Sequence, residues 1–229
     1  MKESVTVSGK TLILADSALP ASVDARWLQP QWWAAQGAIK AELGGRGAAL
    51  ELSTPVGSAV LRRYYRGGWM APLLNDRYLG LGAARSRGFR EFRLLSRLRE
   101  LSLPVPEPLA ASFEPAALFY RAGLLTRFIP QTRPLADVAD ELSGVEWRAL
   151  AEVLKRFFQA GLEHPDLNAH NLLLDSSAQW HVLDFDRARL SRGRSVAAGT
   201  MIARLERSLR KHAGAGWQAG FEAELRKLV

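Results

Sequence analysis

His164-Pro165-Asp166-Leu167-Asn168-Ala169-His170-Asn171, with Asp184-Phe185-Asp186 thirteen residues beyond Asn171, is the stretch that decides the fold. Phosphoryl transfer needs a carboxylate to orient or deprotonate the acceptor hydroxyl. It also needs oxygen ligands for Mg²⁺ on the transferring phosphate. Asp166 can supply the first, and Asn171 with Asp184 the second. An Asp and an Asn five apart on a loop, followed by an Asp-Phe on the next hairpin, is the arrangement of a kinase catalytic loop. Asp and Asn also favour ordinary turns and caps. The D-F-D at this distance, with a suitable helix upstream, favours the kinase reading. His164 is expected to brace the loop rather than to react. No metal role is assigned to His170 or His181. Asp186 is left open between the metal shell and an ion pair with Arg187 or Arg189.

If 164–186 is a catalytic loop, the upstream half must handle the nucleotide. Ala38–Leu43, Ala48–Leu52 and Ser58–Tyr65 read as an antiparallel meander, with turns at Gly44-Gly45-Arg46-Gly47 and Thr54-Pro55-Val56-Gly57. Backbone N–H groups of Gly44, Gly45 and Gly47 can lie over phosphates, although the same turn suits any hairpin. A helix is expected over about 88–101, with Leu94, Leu95, Leu98 and Leu101 on one arc. Glu91 falls inside that arc, opposite Arg90, Arg93 and Arg97. A carboxylate on the core side costs several kcal/mol unless it is paired. The third strand, Ala59-Val60-Leu61-Arg62, stands where kinases carry V-A-I-K, yet it has no Lys. Arg62 is therefore the candidate cation for the nucleotide phosphates and for Glu91, since a guanidinium can bridge both.

Composition narrows the classes further. The chain has 229 residues, is 48% hydrophobic and 24% charged, and lacks Cys. These values exclude a disordered chain, a disulfide scaffold and a Cys nucleophile. No apolar run approaches the ~18 residues of a spanning helix. The run Leu12–Ala15 stops at Asp16, too short for a signal-peptide core, so a cytoplasmic protein is expected. The net charge is +8, and 25 of the 31 basic residues are Arg. Genomic base composition and recognition of phosphate or carboxylate both account for that excess.

The expected fold is α+β, a protein-kinase-like arrangement of two lobes. A β-rich N-lobe with one helix spans 1–130. A smaller helical C-lobe spans 131–229, with the catalytic loop at 164–171 and the D-F-D at 184–186. Residues 67–86 read as a loop and Pro130–Pro134 as a hinge. Near the N-terminus only Thr11–Ala15 reads as a strand, and Trp27, Trp32 and Trp33 read as packing residues. Only 43 residues follow Asp186, with no A-P-E motif, so a protein acceptor held on an activation segment is not expected.

The chain also resembles the 3-deoxy-D-manno-octulosonic acid (Kdo) kinases of the lipopolysaccharide kinase group. LRRYYRGG (61–68), RSRGFREFRLL (85–95), LPVPEPLA (103–110), HPDLNAHNLLLD (164–175), VLDFDRAR (182–189) and RLERSLRK (204–211) carry the resemblance. It implies a protein-kinase-like fold and ATP-dependent transfer to the 4-hydroxyl of Kdo on lipid A precursor. It implies work as a peripheral protein at the cytoplasmic face of the inner membrane. By motif position it implies Asp166 as the catalytic Asp, Asn171 and Asp184 as Mg²⁺ ligands, and Arg62 with Glu91 as the strand cation and its partner. Pro165 stands where a small or charged residue is usual. The acceptor carries a carboxylate and phosphates. Arg63, Arg66, Gly67, Gly68, Arg85 and Arg87 are accordingly the candidate acceptor-binding residues, the glycines permitting close backbone approach. Two enzyme alternatives are a heptose kinase of the same group and a small atypical protein kinase. The non-enzymatic alternatives are a pseudokinase and a basic nucleic-acid-binding module. The last lacks aromatic interleaving or any recognition motif, so no nucleic acid is expected.

Overall fold

The computed structural model describes residues 3–19, 22–43, 49–66, 79–116, 119–191 and 197–229. The chain divides into two compact units: 1–96 with 107–128, and 97–106 with 129–229. The architecture is mixed, a large antiparallel sheet with several helices. It is consistent with a kinase-like fold. Among the described residues no helix is long and apolar enough to cross a membrane.

The first unit is built on a seven-stranded sheet. In chain order its strands are β1 (Glu3–Ser8), β2 (Thr11–Asp16), β3 (Ile39–Leu43), β4 (Ala49–Thr54), β5 (Gly57–Arg66), β6 (Pro108–Ala116) and β7 (Phe119–Arg127). They lie in the spatial order β1-β2-β6-β7-β5-β4-β3, all neighbours antiparallel. Leu50 faces Leu61 and Leu52 faces Ala59 across β4 and β5. This period-two alternation gives one apolar face, packed against Trp27, Leu28 and Trp33. Trp27 and Leu28 lie in a 3-10 turn and Trp33 in helix α1 (Pro30–Ala35). The Trp33 indole N–H donates to the Trp27 carbonyl at 2.7 Å, which satisfies a buried donor.

Two stretches differ from the sequence reading. The loop expected over 67–86 contains a short helix, α2 (Leu79–Ala84), and 67–78 lie outside the described residues. Its two Gly residues lower helix propensity, but Ala83 is buried and packing overrides the local preference. The Pro130–Pro134 hinge contains a strand, β8 (Thr132–Pro134).

Helix α3 (Arg87–Glu100) buries Phe89, Glu91, Phe92, Leu95 and Leu98, while Leu94 is half-buried and Leu101 lies exposed past its end. It begins against β6 and β7. A Cβ on Gly88 would lie 2.7 Å from the Gly123 carbonyl oxygen, so glycine allows this approach. The helix ends in a Schellman motif: Leu103 N–H donates to Leu98 O and Ser102 N–H to Arg99 O. Ser102 takes the left-handed conformation there (φ 55°), and Pro104 prevents continuation.

The second unit is organised by two amphipathic helices. Helix α5 (Gly144–Gln159) follows the four-residue α4 (Leu135–Val138). It starts in a capping box, Ser143 accepting from Glu146 N–H while the Glu146 carboxylate accepts from Ser143 N–H. Trp147, Leu150, Leu154, Phe157 and Phe158 form its buried face. Helix α6 (Ala198–His212) buries Met201, Ile202, Leu205 and Leu209. Two small sheets complete the unit. One has the order β11 (Trp180–Val182), β10 (Leu172–Asp175), β8; the other pairs β9 (Leu162–Glu163) with β12 (Arg189–Leu190). The second clamps the segment 162–190 at both ends, and that segment contains the loop and the D-F-D.

Candidate active site

On β5, Arg62 and Tyr64 are two residues apart and so share a face. Both reach Glu91 of α3. The Arg62 guanidinium Nη1 lies 3.2 Å from Glu91 Oε1, and the Tyr64 hydroxyl donates to Glu91 Oε2. Glu91 is only 2% exposed. Burying an ionised carboxylate requires such partners, or it neutralises. The Tyr64 ring also lies against two guanidiniums, with Arg62 Cζ 5.5 Å and Arg87 Cζ 4.9 Å from its centroid. Tyr64 was not singled out from sequence. The signal existed: strand alternation puts it on the Arg62 face.

In the second unit the 164–171 segment is held mainly by its own hydrogen bonds. Asn168 caps the 3-10 turn Ala169–Asn171, its side chain accepting from His170 N–H. Asn168 Nδ2 and Asn171 Nδ2 both donate to the Asp166 carbonyl, at 2.9 and 3.0 Å. The Asn171 side chain is thereby oriented through its NH₂, with its oxygen as the remaining ligand atom. Leu183 joins this loop to the D-F-D. Its N–H donates to Asn171 O at 2.8 Å, and its carbonyl lies 3.0 Å from His164 Nε2. A carbonyl only accepts, so Nε2 carries the proton. Asp184 follows in the left-handed conformation, φ 63°. Asp tolerates that region better than most residues, and such outliers cluster at functional sites.

His164 is 1% exposed, and its Nδ1 has no hydrogen-bond partner. Its ring lies 5.3 Å from that of Phe185, and its N–H meets Met201 Sδ of α6. Burial pushes its pKa below the ordinary imidazole value. It is a neutral, buried brace.

The Asp166 carboxylate is paired on both oxygens. Arg187 Nη1 lies 3.4 Å from Oδ2, and Arg204 Nη2 of α6 lies 3.0 Å from Oδ1. Arg189 pairs with Glu163. Neither Arg187 nor Arg204 was singled out from sequence as part of a site.

Mg²⁺ fits the donor set. Among the described residues no group of three or more His, Cys, Asp or Glu could hold a metal ion alone. Mg²⁺ in phosphoryl transfer needs no such cage, because one or two carboxylates suffice with phosphate and water. Asp184 and the oriented Asn171 amide oxygen are hard donors of that kind.

The other candidates are dispersed. Arg63 points to the face of β5 opposite Arg62 and lines a shallow hollow with Leu28, Gln29, Ser112 and Arg121. Arg85 is exposed. Arg66 ends β5 opposite Tyr120. Gly44, Gly45, Gly47, Gly67 and Gly68 lie outside the described residues.

Comparison with known proteins adds independent findings. Residues 30–223 match the family model described as lipopolysaccharide kinase (Kdo/WaaP) family. A curated relative from Xanthomonas oryzae pv. oryzae (strain PXO99A) is 44% identical over 192 residues, covering 83% of this chain and 77% of the relative. One from Xanthomonas euvesicatoria pv. vesicatoria (strain 85-10) is 42% identical over 207 residues, covering 90% and 83%. One from Stenotrophomonas maltophilia (strain R551-3) is 41% identical over 203 residues, covering 88% and 81%. All three are named 3-deoxy-D-manno-octulosonic acid kinase.

Proposed function

The chain belongs to the lipopolysaccharide kinase (Kdo/WaaP) family, and from that premise we propose that it is an ATP- and Mg²⁺-dependent kinase for Kdo. The acceptor in this reading is Kdo on lipid A precursor, and the position modified is its 4-hydroxyl. The observation that carries the proposal is the hydrogen-bonded loop in which Asp166, Asn171 and Asp184 are tied through Asn171 and Leu183.

In this mechanism the acceptor oxygen attacks the γ-phosphorus of ATP as the bond to the β-phosphate oxygen breaks. Asp166 orients the hydroxyl and takes its proton. Asn171 and Asp184 would hold Mg²⁺, which when bound would supply positive charge against that building on the phosphoryl oxygens. Arg62 offers its guanidinium to the nucleotide phosphates while Glu91 and Tyr64 fix its direction. Gly44, Gly45 and Gly47 contribute backbone N–H groups on the same reading. N- and C-lobes at 1–130 and 131–229 belong to it as well. A net charge of +8 supports peripheral binding to the anionic inner-membrane surface, at about 1 kcal/mol per basic group near that surface.

The test uses the purified chain with ATP, Mg²⁺ and Kdo-lipid A precursor, and mass spectrometry of the lipid. Phosphorylated product is expected, and Asp166→Asn should cut turnover about 10²- to 10⁴-fold. Transfer to a heptose or a protein, with none to Kdo, would overturn the acceptor assignment.

A further inference from the structure

Helix α6 runs along the catalytic loop with one contact per turn. Met201 meets His164 N–H, Arg204 meets the Asp166 carboxylate, Ser208 Oγ accepts from Ala169 N–H at 3.1 Å, and His212 stacks edge-on against His170 at 4.6 Å. The spacing 201, 204, 208, 212 is one helical face. Three of these contacts are accounted for by holding the loop. The Arg204 contact is not, because its partner, Asp166, is the group assigned to the reacting hydroxyl.

With a guanidinium on each oxygen, the Asp166 carboxylate has fewer lone pairs left to accept from a substrate hydroxyl. Arg187 and Arg204 approach different oxygens of Asp166, and their side chains remain 69% and 47% exposed. Among the described residues Asp166 is the only carboxylate paired with either one. Each of these contacts uses one of the five N–H donors of a guanidinium. The remaining donors form a bidentate-capable fork on each side of the carboxylate, open to solvent.

We propose that Arg187 and Arg204 form the subsite for the acidic group of the acceptor, a sugar carboxylate, and thereby set its hydroxyl against Asp166. The inference rests on the kinase reading and deepens it by naming what selects an acidic sugar. In this reading Asp166 engages the two guanidiniums that the acceptor carboxylate would take. When the acceptor binds, its carboxylate takes up the two forks and relieves the Asp166 oxygens.

The experiment measures acceptor and ATP kinetics for wild type, Arg204→Gln, Arg187→Gln and Arg204→Lys. Each is assayed on the Kdo acceptor and on an analogue with the carboxylate reduced to an alcohol. Losing a charge-assisted hydrogen bond should raise the acceptor KM about 10- to 100-fold in either Gln variant, with the ATP KM unchanged. Arg204→Lys should recover part of the loss, because it restores charge without the fork. The wild type should show a KM rise of similar size on the reduced analogue, and the Gln variants should then add little. The wild-type comparison needs no mutation, so a variant that fails to fold does not shield the proposal. Equal KM for acid and alcohol in the wild type would overturn it. So would a fall in kcat alone, identical on both acceptors, which is the signature of loop support. So would dependence on the lipid phosphates in place of the carboxylate. If the wild type transfers nothing to Kdo, the kinase reading itself falls; if it transfers and these dependences are absent, only this inference does.

Discussion

Arg62→Met removes a paired cation from a carboxylate that is 2% exposed, and the cost follows from that burial. Breaking a buried ion pair by removing one partner typically costs about 3–5 kcal/mol, because the other charge stays behind. The Tyr64 hydroxyl still donates to Glu91 Oε2, which argues for the lower end. About 3 kcal/mol in a chain of this size corresponds to a Tm lower by roughly 6–12 °C. The triple variant Arg62→Met, Tyr64→Phe, Glu91→Met replaces the polar cluster with apolar groups of similar volume. Such replacements are often neutral or stabilising, so most of the lost Tm should return. On the proposed reading phosphoryl transfer should not return, because the triple variant lacks the Arg62 guanidinium assigned to the nucleotide phosphates. Calorimetry and a phosphate-transfer assay on the three proteins read both effects. A single variant melting within 2 °C of wild type, about 1 kcal/mol or less, would refute the buried-charge argument. A triple variant turning over like wild type would refute the cation role.

Asp184→Gly should leave Tm within about 3 °C of wild type while abolishing transfer, since glycine adopts φ 63° without strain but offers Mg²⁺ no ligand; lost activity with a collapsed Tm would instead mark Asp184 as structural. His164 has a folded pKa below its unfolded value of about 6.5, so the unfolded chain binds the extra proton as pH falls through that value. Stability should therefore fall between pH 7 and 5, and His164→Gln should flatten that slope of Tm against pH; an unchanged slope would contradict the assignment. Gly88→Ala places a methyl 2.7 Å from the Gly123 carbonyl oxygen, which should cost about 1–3 kcal/mol by urea unfolding and, by shifting Glu91, lower kcat.

What the sequence disclosed depended on how specific each physical signal was. The 164–186 segment was legible as a unit because Asp, Asn and Asp at those spacings form a recognisable loop pattern, and hydrogen bonds through Asn171 and Leu183 tie that loop together. Glu91 was legible for a related reason: a carboxylate in an apolar arc is an energetic contradiction, and its resolution required a cation nearby. Strand β1 was missed because it is an edge strand. Val5 and Val7 are 53% and 71% exposed, so no buried period marks it. Helix α2 was missed because glycine lowers local propensity and the compensating burial of Ala83 is tertiary.

Arg187 and Arg204 illustrate a different limit. Among 25 arginines, composition gives each the same prior, and Arg204 lies 38 residues from the carboxylate it meets. Periodicity places it beside the buried stripe of Met201 and Leu205, but cannot say which loop that stripe covers. Arg63 shows the converse. It was a candidate because the expected acceptor is acidic; adjacent strand residues point to opposite faces, and it lies on the Leu28 side, away from Arg62. Side-chain direction within an element was thus available from sequence and excluded Arg63 from the Arg62 cluster, while contact between elements was not available and hid Arg204. The charge excess therefore gains meaning residue by residue: Arg62 answers a buried acid, while Arg187 and Arg204 answer a half-buried one from side chains that are themselves largely open to solvent.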